Sequence, residues 1–369
     1  MKIAAVEVAL IDIPFHLPHK VSFGSIAVQN FAIVQVRTDD GLMGLGEAPS
    51  IGGPTWNEES AETVKLVIGR YLAPVLIDED PFGTERIHER MDLAAKGNYF
   101  AKAAVEMAVF DLQGKALAQP VYNLLGGLYR DRIELSWTLS SADAQAEIEE
   151  ARPLWERGHR IFKLKVGAQD SSRDVARVRR WRMAFPEARL RLDANQGWDE
   201  TTTLRAMDAL SDCNIEFIEQ PIPRWNLDGM ARLRERLKVP LMADESVCTP
   251  ADAVTLVRHK AADAFALKLA KAGGFRPSKQ VVGVAVAAGI PCYLGCMRET
   301  GIGTAAYAHF GAATRAVSLG CELFGPLMMV DDIIAEPIKY ERGAIVIPGG
   351  PGLGVHLDRD KLRHYTRKE

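Results

Sequence analysis

The sequence predicts an α/β fold, a modified (β/α)8 TIM barrel accompanied by an α+β domain. Three observations predict it. The chain changes texture near residue 130, from strands followed by helices to short strand and helix in repeated alternation. Eight strand candidates then follow in succession, with crossovers long enough for parallel pairing. No GxGxxG follows the first strand, which counts against an open dinucleotide-binding sheet.

Met1 to Ala48 reads as strands. The opening MKIAAVEVALIDIPF carries Glu7 and Asp12 inside its apolar run, so it is a strand and not a signal peptide. FAIVQVRTDDGLMGLGEA predicts a hairpin, with Asp39-Asp40-Gly41 supplying the turn. ESAETVKLVIGRYLAPVL and YFAKAAVEMAVFDLQGKAL have apolar residues at helical spacing, and the second ends before Gln119-Pro120. The barrel strands are IELSWTL, IFKLKV, LRLDAN, IEFIEQP, PLMADES, AFALKLA, IPCYLG and LGCELF. Helical stretches such as ADAQAEIEEARPLWERG and ADAVTLVRHKAAD separate them. The tail DRDKLRHYTRKE is of mixed charge and predicts a solvated helix or a frayed end.

Composition narrows the partners. At 369 residues, 47% apolar and 25% charged, the chain is an ordinary globular protein with a large core. A net charge of −3 gives no reason to expect nucleic acid or an anionic membrane surface. No apolar run approaches the ~18 residues that span a bilayer. The five cysteines form no CxxC pair, which predicts free thiols in a reducing cytoplasm. Cys292 and Cys296, four apart, are a weak metal pair with no histidine cluster to support them.

The polar residues on the strands carry the functional signal. Lys165, Asp193, Glu219, Asp244 and Lys268 fall near the C-terminal ends of five successive strands, at intervals of 28, 26, 25 and 24 residues. Barrel active sites are built at that end. Three carboxylates on adjacent strands repel unless a cation compensates, and all-oxygen ligation suits Mg²⁺ or Mn²⁺. Separate helix caps are the plainer reading of Asp193-Ala194-Asn195 and Asp244-Glu245-Ser246. Lys165 and Lys268 would face each other across the barrel mouth, as acid/base groups beside a metal that stabilises an enediolate. Lys163 shares the face of Lys165 and is expected to lower its neighbour's pKa.

KLKVG, RLDANQGWD, IEQPI, ADES and ALKLAKAGG resemble the enolase superfamily in its muconate lactonizing subgroup, over essentially the whole chain. Sites of that superfamily use a Lys or His base with Mg²⁺. The resemblance implies a capping domain at 1–130, a barrel at 131–325, and a segment 326–369 that returns to the capping domain. It implies Asp193, Glu219 and Asp244 as metal ligands, Lys165 and Lys268 as the facing pair, and Lys163 as helper.

PHK at 18–20, IGGPTW at 51–56, TGIGTAAYAH and ELFGPLMM resemble the muconate cycloisomerases within the subgroup. Lactonization of cis,cis-muconate or a substituted muconate, through an enolate protonated by Lys165, is the implied reaction. His19, Ile51, Trp56, Asn195, Glu322 and Phe324 are the implied substrate-binding residues. The alternative is a racemase or epimerase of an N-acyl or N-modified amino acid, using both lysines. A metal-dependent binding protein that kept the fold is the non-enzyme alternative. A small carboxylate or dicarboxylate ligand, a cytoplasmic location and a homo-oligomer, an octamer by likeness, complete the expectation. Two positions depart from the cycloisomerase pattern. Trp56 stands where many have tyrosine, and Arg298 replaces an apolar residue and is expected to face helix and solvent or to reach a second carboxylate.

Overall fold

Alternating side chains in the first fifty residues produce three antiparallel strands. In a computed structural model, which describes residues 1–21 and 24–368 and residues 19–21 by backbone alone, these are β1 (Ile3–Val21), β2 (Gly24–Thr38) and β3 (Met43–Ser50), in the order β1-β2-β3. Gly41 takes φ +89° in the turn between β2 and β3, a left-handed backbone open to glycine at little cost.

Helix Tyr99–Ala116 lies directly on β3. Gly44 and Gly46 permit that approach, because a Cβ at Gly46 would sit 1.8 Å from the Ala104 carbonyl oxygen. The helix is buried around almost its whole circumference, Glu106 and Asp111 included. Long-range backbone donors satisfy both carboxylates. Glu106 accepts from the N–H groups of Phe275 and Arg276, and Asp111 from those of Leu45 and Leu353.

After β4 (Arg132–Glu134) come the eight parallel strands: β5 (Ser136–Leu139), β6 (Ile161–Lys165), β7 (Arg189–Asp193), β8 (Ile215–Glu219), β9 (Leu241–Ala243), β10 (Ala264–Leu267), β11 (Cys292–Leu294) and β12 (Val317–Cys321). Each pairs with its sequence neighbour, and a parallel bridge between Leu135 and Cys321 joins the first edge to the last. On β6 the alternation holds. Phe162, Leu164 and Val166 pack into the apolar core, where Phe162 lies 5.2 Å from the Trp181 ring, and Lys163 faces inward at 1% exposure.

Three details differ from the sequence expectation. The first strand candidate splits, and β4 pairs with β14 (Ala344–Val346), which pairs with β13 (Tyr340–Glu341) in a separate small sheet. The strands end earlier than expected, leaving Asp244 and Lys268 one residue past β9 and β10. The helix that comes directly after β12 is only the four-residue Gly325–Met328, so the eighth βα unit has no full-length helix in the barrel position.

The tail forms a solvated helix, Arg359–Tyr365, and the residues that follow it, Thr366 and Arg367, are bonded to β1. Arg367 donates from Nε to both oxygens of Asp12 at 2.8 Å, and its N–H bonds the Leu10 carbonyl at 2.9 Å. Thr366 bridges to Ile11, and Met329 to Phe15, both along β1. Among the described residues no helix is long and apolar enough to cross a membrane. All five cysteines are free.

Candidate active site

Parallel register lines up the charged strand ends. Lys165 is opposite Asp193, Asp193 is opposite Glu219, and Glu219 is opposite Met242, two residues before Asp244. Neighbouring strands lie about 4.8 Å apart, so the row crosses the barrel mouth in single-strand steps. A cleft of about 410 Å³ opens over it, lined by Lys163, Lys165, Asp193, Asn195, Glu219, Lys268 and Glu322 from the barrel, and by Ile51 and Trp56 from the N-terminal region. Cys296 and Arg298 complete its wall.

Four lysines hold the carboxylates. Lys163 Nζ lies 3.2 Å from Asp193, 2.9 Å from Glu219 and 2.8 Å from Glu322. Lys165 Nζ donates to Asp193 Oδ2 and to Asn195 Oδ1, each at 2.6 Å. Lys268 and Lys271 each contact Asp244 at 2.6 Å, one on either oxygen. Burial alone favours neutral carboxyls. The ammoniums of Lys165 and Lys163 overcome burial at Asp193 and hold it below the usual carboxylate range. Those of Lys268 and Lys271 do the same at Asp244. Glu219, buried and close to the Asp193 charge, is pushed up to about 8.

Lys163 is the most buried of the four, at 1% exposure. Three carboxylates surround its ammonium, and their charges outweigh burial to keep it firmly protonated. Lys163 ties β6 to β7, β8 and Glu322.

The two facing lysines differ in setting. Lys268 is clamped to Asp244 beneath the Trp56 ring, 4.2 Å from nitrogen to centroid. Lys165 is more accessible, with 16% of its side chain exposed. It also borders a second recess of about 960 Å³, lined by residues 140–143 and 168–169 among others.

Of the remaining expected substrate residues, Ile51, Trp56, Asn195 and Glu322 line the cleft. Asn195 also orients its neighbours, accepting from Lys165 and donating to Glu245 at 3.1 Å. Phe324 is fully buried and absent from the lining, stacked on Trp137 at 4.5 Å and covered by the Arg298 guanidinium at 4.8 Å. The His19 side chain lies outside the described residues. Arg298 does not face solvent. It is 5% exposed and turns into the cleft.

Sequence reasoning missed Lys271, Thr138 and Glu245 at the site, and read Cys296 only as half of a weak metal pair, whereas it lines the cleft wall. Lys271 had a signal, since it follows Lys268 by three residues and helical spacing brings both to one side. Thr138 donates to Glu322, a contact between the first and last strand regions that no local pattern reveals.

The donor set suits a hard divalent cation. Asp193, Glu219 and Asp244 present carboxylate oxygens from successive strands, and Glu245 Oε2 is buried beside them with no hydrogen-bond partner. Among the described residues no three Asp, Glu, His or Cys side chains form a closed metal cage as they stand, because lysine ammoniums lie against the carboxylate oxygens. The oxygen-only chemistry fits Mg²⁺ or Mn²⁺, with modest side-chain adjustment.

Residues 4–126 match the family of mandelate racemase / muconate lactonizing enzyme N-terminal domains, and residues 146–361 match the enolase C-terminal domain-like family. The chain belongs to the mandelate racemase / muconate lactonizing enzyme family. Enzymes of this family depend on a divalent metal. A chloromuconate cycloisomerase of Cupriavidus necator is 41% identical over 369 residues, covering 100% of both chains. Muconate cycloisomerase 1 of Rhodococcus opacus is also 41% identical, over 100% of this chain and 99% of its own. The crystal structure of muconate lactonizing enzyme from Pseudomonas fluorescens, complexed with muconolactone, superimposes with a TM-score of 0.97 at 42% identity over 99% of each chain. This family member therefore shares with those relatives its fold over nearly its whole length.

Proposed function

We propose that the chain is a cycloisomerase that closes cis,cis-muconate, or a substituted muconate, to its lactone. The observation that carries the reading is the unequal setting of the two lysines around one carboxylate row. Lys268 is clamped under Trp56, whereas Lys165 is reachable from two recesses. Such asymmetry suits a reaction with one proton transfer rather than racemization, which needs a proton donor on each face.

Asp193, Glu219 and Asp244 are the residues that would hold Mg²⁺ or Mn²⁺. The bound cation supplies electrostatic stabilisation to the substrate carboxylate on which negative charge accumulates. Ring closure forms one C–O bond, from an oxygen of the other carboxylate to the far end of a conjugated double bond. The displaced π electrons move toward the first carboxylate, and Lys165 delivers a proton to the carbon beside it. Lys268 keeps its ammonium on the opposite side and offsets the developing charge. Glu322 holds Lys163 in place, and Ile51 and Trp56 cover the cleft.

The test is metal-dependent loss of the diene's ultraviolet absorbance with cis,cis-muconate and Mn²⁺. Lys165→Ala is expected to lower turnover by about 10²- to 10⁴-fold, and reaction in D₂O should place one deuterium in the lactone. Undiminished turnover by Lys165→Ala would refute the assignment. By family likeness the chain is further proposed to work in the cytoplasm as a homo-oligomer, an octamer, which sedimentation of the purified protein tests directly.

A further inference from the structure

The segment that covers the cleft is tied down on two sides by consecutive acidic residues. Ile51 and Trp56 line the cleft, and Trp56 lies over the Lys268 ammonium. Between them Gly52 and Gly53, at φ +65° and +77°, turn the backbone through left-handed conformations that glycine adopts at little cost. Glu58 and Glu59 follow, and they reach opposite ways. Glu59 is buried and accepts from the N–H groups of Phe100 at 2.9 Å and Ala101 at 3.1 Å, in the first turn of helix Tyr99–Ala116. The Phe100 ring in turn lies 6.5 Å from the Trp56 ring, centroid to centroid.

Glu58 reaches the barrel instead. Its Oε1 accepts from Arg224 Nη2 at 2.6 Å. Arg224 stands in the loop after β8, and the loops on either side hold its backbone. Its N–H donates to Gln196 Oε1 at 2.8 Å, and its carbonyl accepts from Ser246 Oγ at 3.1 Å. Gln196 and Ser246 come just after Asp193 and Asp244 in the chain. The guanidinium is thus carried by a backbone anchored beside the carboxylate row, while its partner belongs to the cover. Its hydrogen bond holds the Glu58 carboxyl below the usual carboxylate range, so both ends are charged at neutral pH.

We propose that Glu58 and Arg224 are positioning residues, a latch that registers Ile51 and Trp56 over the carboxylate row. Glu59 fixes the cover to the helix beneath it, and Glu58 fixes it to the barrel. A substrate that touches Ile51 and Trp56 binds the closed form, so its apparent affinity scales with the fraction closed. The pair takes no part in the chemistry of the closed complex. Loss of the latch therefore falls on KM and leaves kcat nearly unchanged. Both side chains are exposed, and a pair of this kind shifts an equilibrium by about 1.5- to 5-fold. The choice of muconate as substrate rests on the cycloisomerase reading, but the latch itself does not.

Amide hydrogen exchange of the full-length, Mg²⁺-loaded protein reads the latch without substrate. Glu58→Arg and Arg224→Glu each set like charges face to face, and each should speed exchange in residues 51–57 by about 3- to 10-fold. The double variant restores opposite charges and should return to near wild type. The Phe100 and Ala101 amides, held by Glu59, should stay protected throughout. With muconate, each single reversal should raise KM by about 2- to 5-fold at unchanged kcat, and the double variant should recover it.

Unchanged exchange in the single reversals overturns the proposal, and so does a double variant that fails to recover. Lost protection at Phe100 and Ala101 overturns it too, by showing that the reversals act through the helix. In a protein that turns over muconate, a KM that does not follow the exchange removes the positioning role. The full exchange pattern in a protein that does not cyclise muconate refutes the reaction and retains the latch.

Discussion

The Trp56 ring lies over the Lys268 ammonium, 4.2 Å from nitrogen to centroid, joining the N-terminal region to the far wall of the barrel mouth. A desolvated cation over an indole face gains about 0.5–2 kcal/mol. Trp56→Leu is expected to lower kcat/KM by about 3- to 30-fold. Trp56→Phe, which keeps a π face, should lose less. Steady-state kinetics on both variants decide it, and equal losses would show that Trp56 acts by bulk alone.

Lys163 is the keystone of the buried charges, touching Asp193, Glu219 and Glu322 at 1% exposure. Removing one partner of a buried ion pair strands the others, at about 3–5 kcal/mol. Lys163→Met should therefore lose stability of that order in urea unfolding without metal. Added Mg²⁺ should restore part of it, by supplying positive charge to the same carboxylates and by binding only the native state. A variant as stable as wild type without metal would rule this out.

His309 predicts an acid limb. Burial pushes its imidazole down to about 4, from the usual 6.5. Nδ1 accepts the Tyr122 N–H at 3.2 Å, which leaves Nε2–H to donate to the Leu353 carbonyl at 3.1 Å. Protonation of Nδ1 would destroy the first bond. Between those two values the unfolded chain binds more protons than the native one. The contribution is thus complete above pH 6.5 and is lost as the pH falls toward 4, amounting to about 3 kcal/mol. Urea titrations at pH 7 and pH 4.5 should show wild type losing more than His309→Gln. Equal losses would remove His309 as the cause.

Gly46→Ala tests the contact between helix Tyr99–Ala116 and β3. The added methyl would meet a backbone oxygen at 1.8 Å, which no rotamer change relieves. Overpacking of this kind costs about 1–3 kcal/mol or more. A lower Tm is expected, with metal affinity little changed because the site lies elsewhere.

The barrel was legible because each βα unit repeats its own signal, and five charged residues kept step with that repeat. Strand ends were not. Asn195 and Gln220 adopt positive φ just past β7 and β8, turns that an extended sequence pattern does not announce. Helix Tyr99–Ala116 was legible as a helix but not as one buried on all sides. The partners of Glu106 lie at 275–276, and periodicity carries no information about contacts so distant. Of the two expectations for Arg298, the solvent-facing one fails for a similar reason. Local pattern sends an arginine outward, and only the assembled wall of Cys296 and Phe324 turns it inward. Ile51 and Trp56 were legible through family likeness alone, since nothing in IGGPTW declares that it reaches another part of the chain.

The outer edge of β1 has a consequence for biosynthesis. That strand receives its edge partners from Met329, Thr366 and Arg367, made more than three hundred residues later. Throughout that interval its unpaired N–H and C=O groups are a template for any passing strand. The nascent chain is therefore most prone to misassociation until those segments have been made, and loss of residues 366–367 would leave part of that edge exposed permanently.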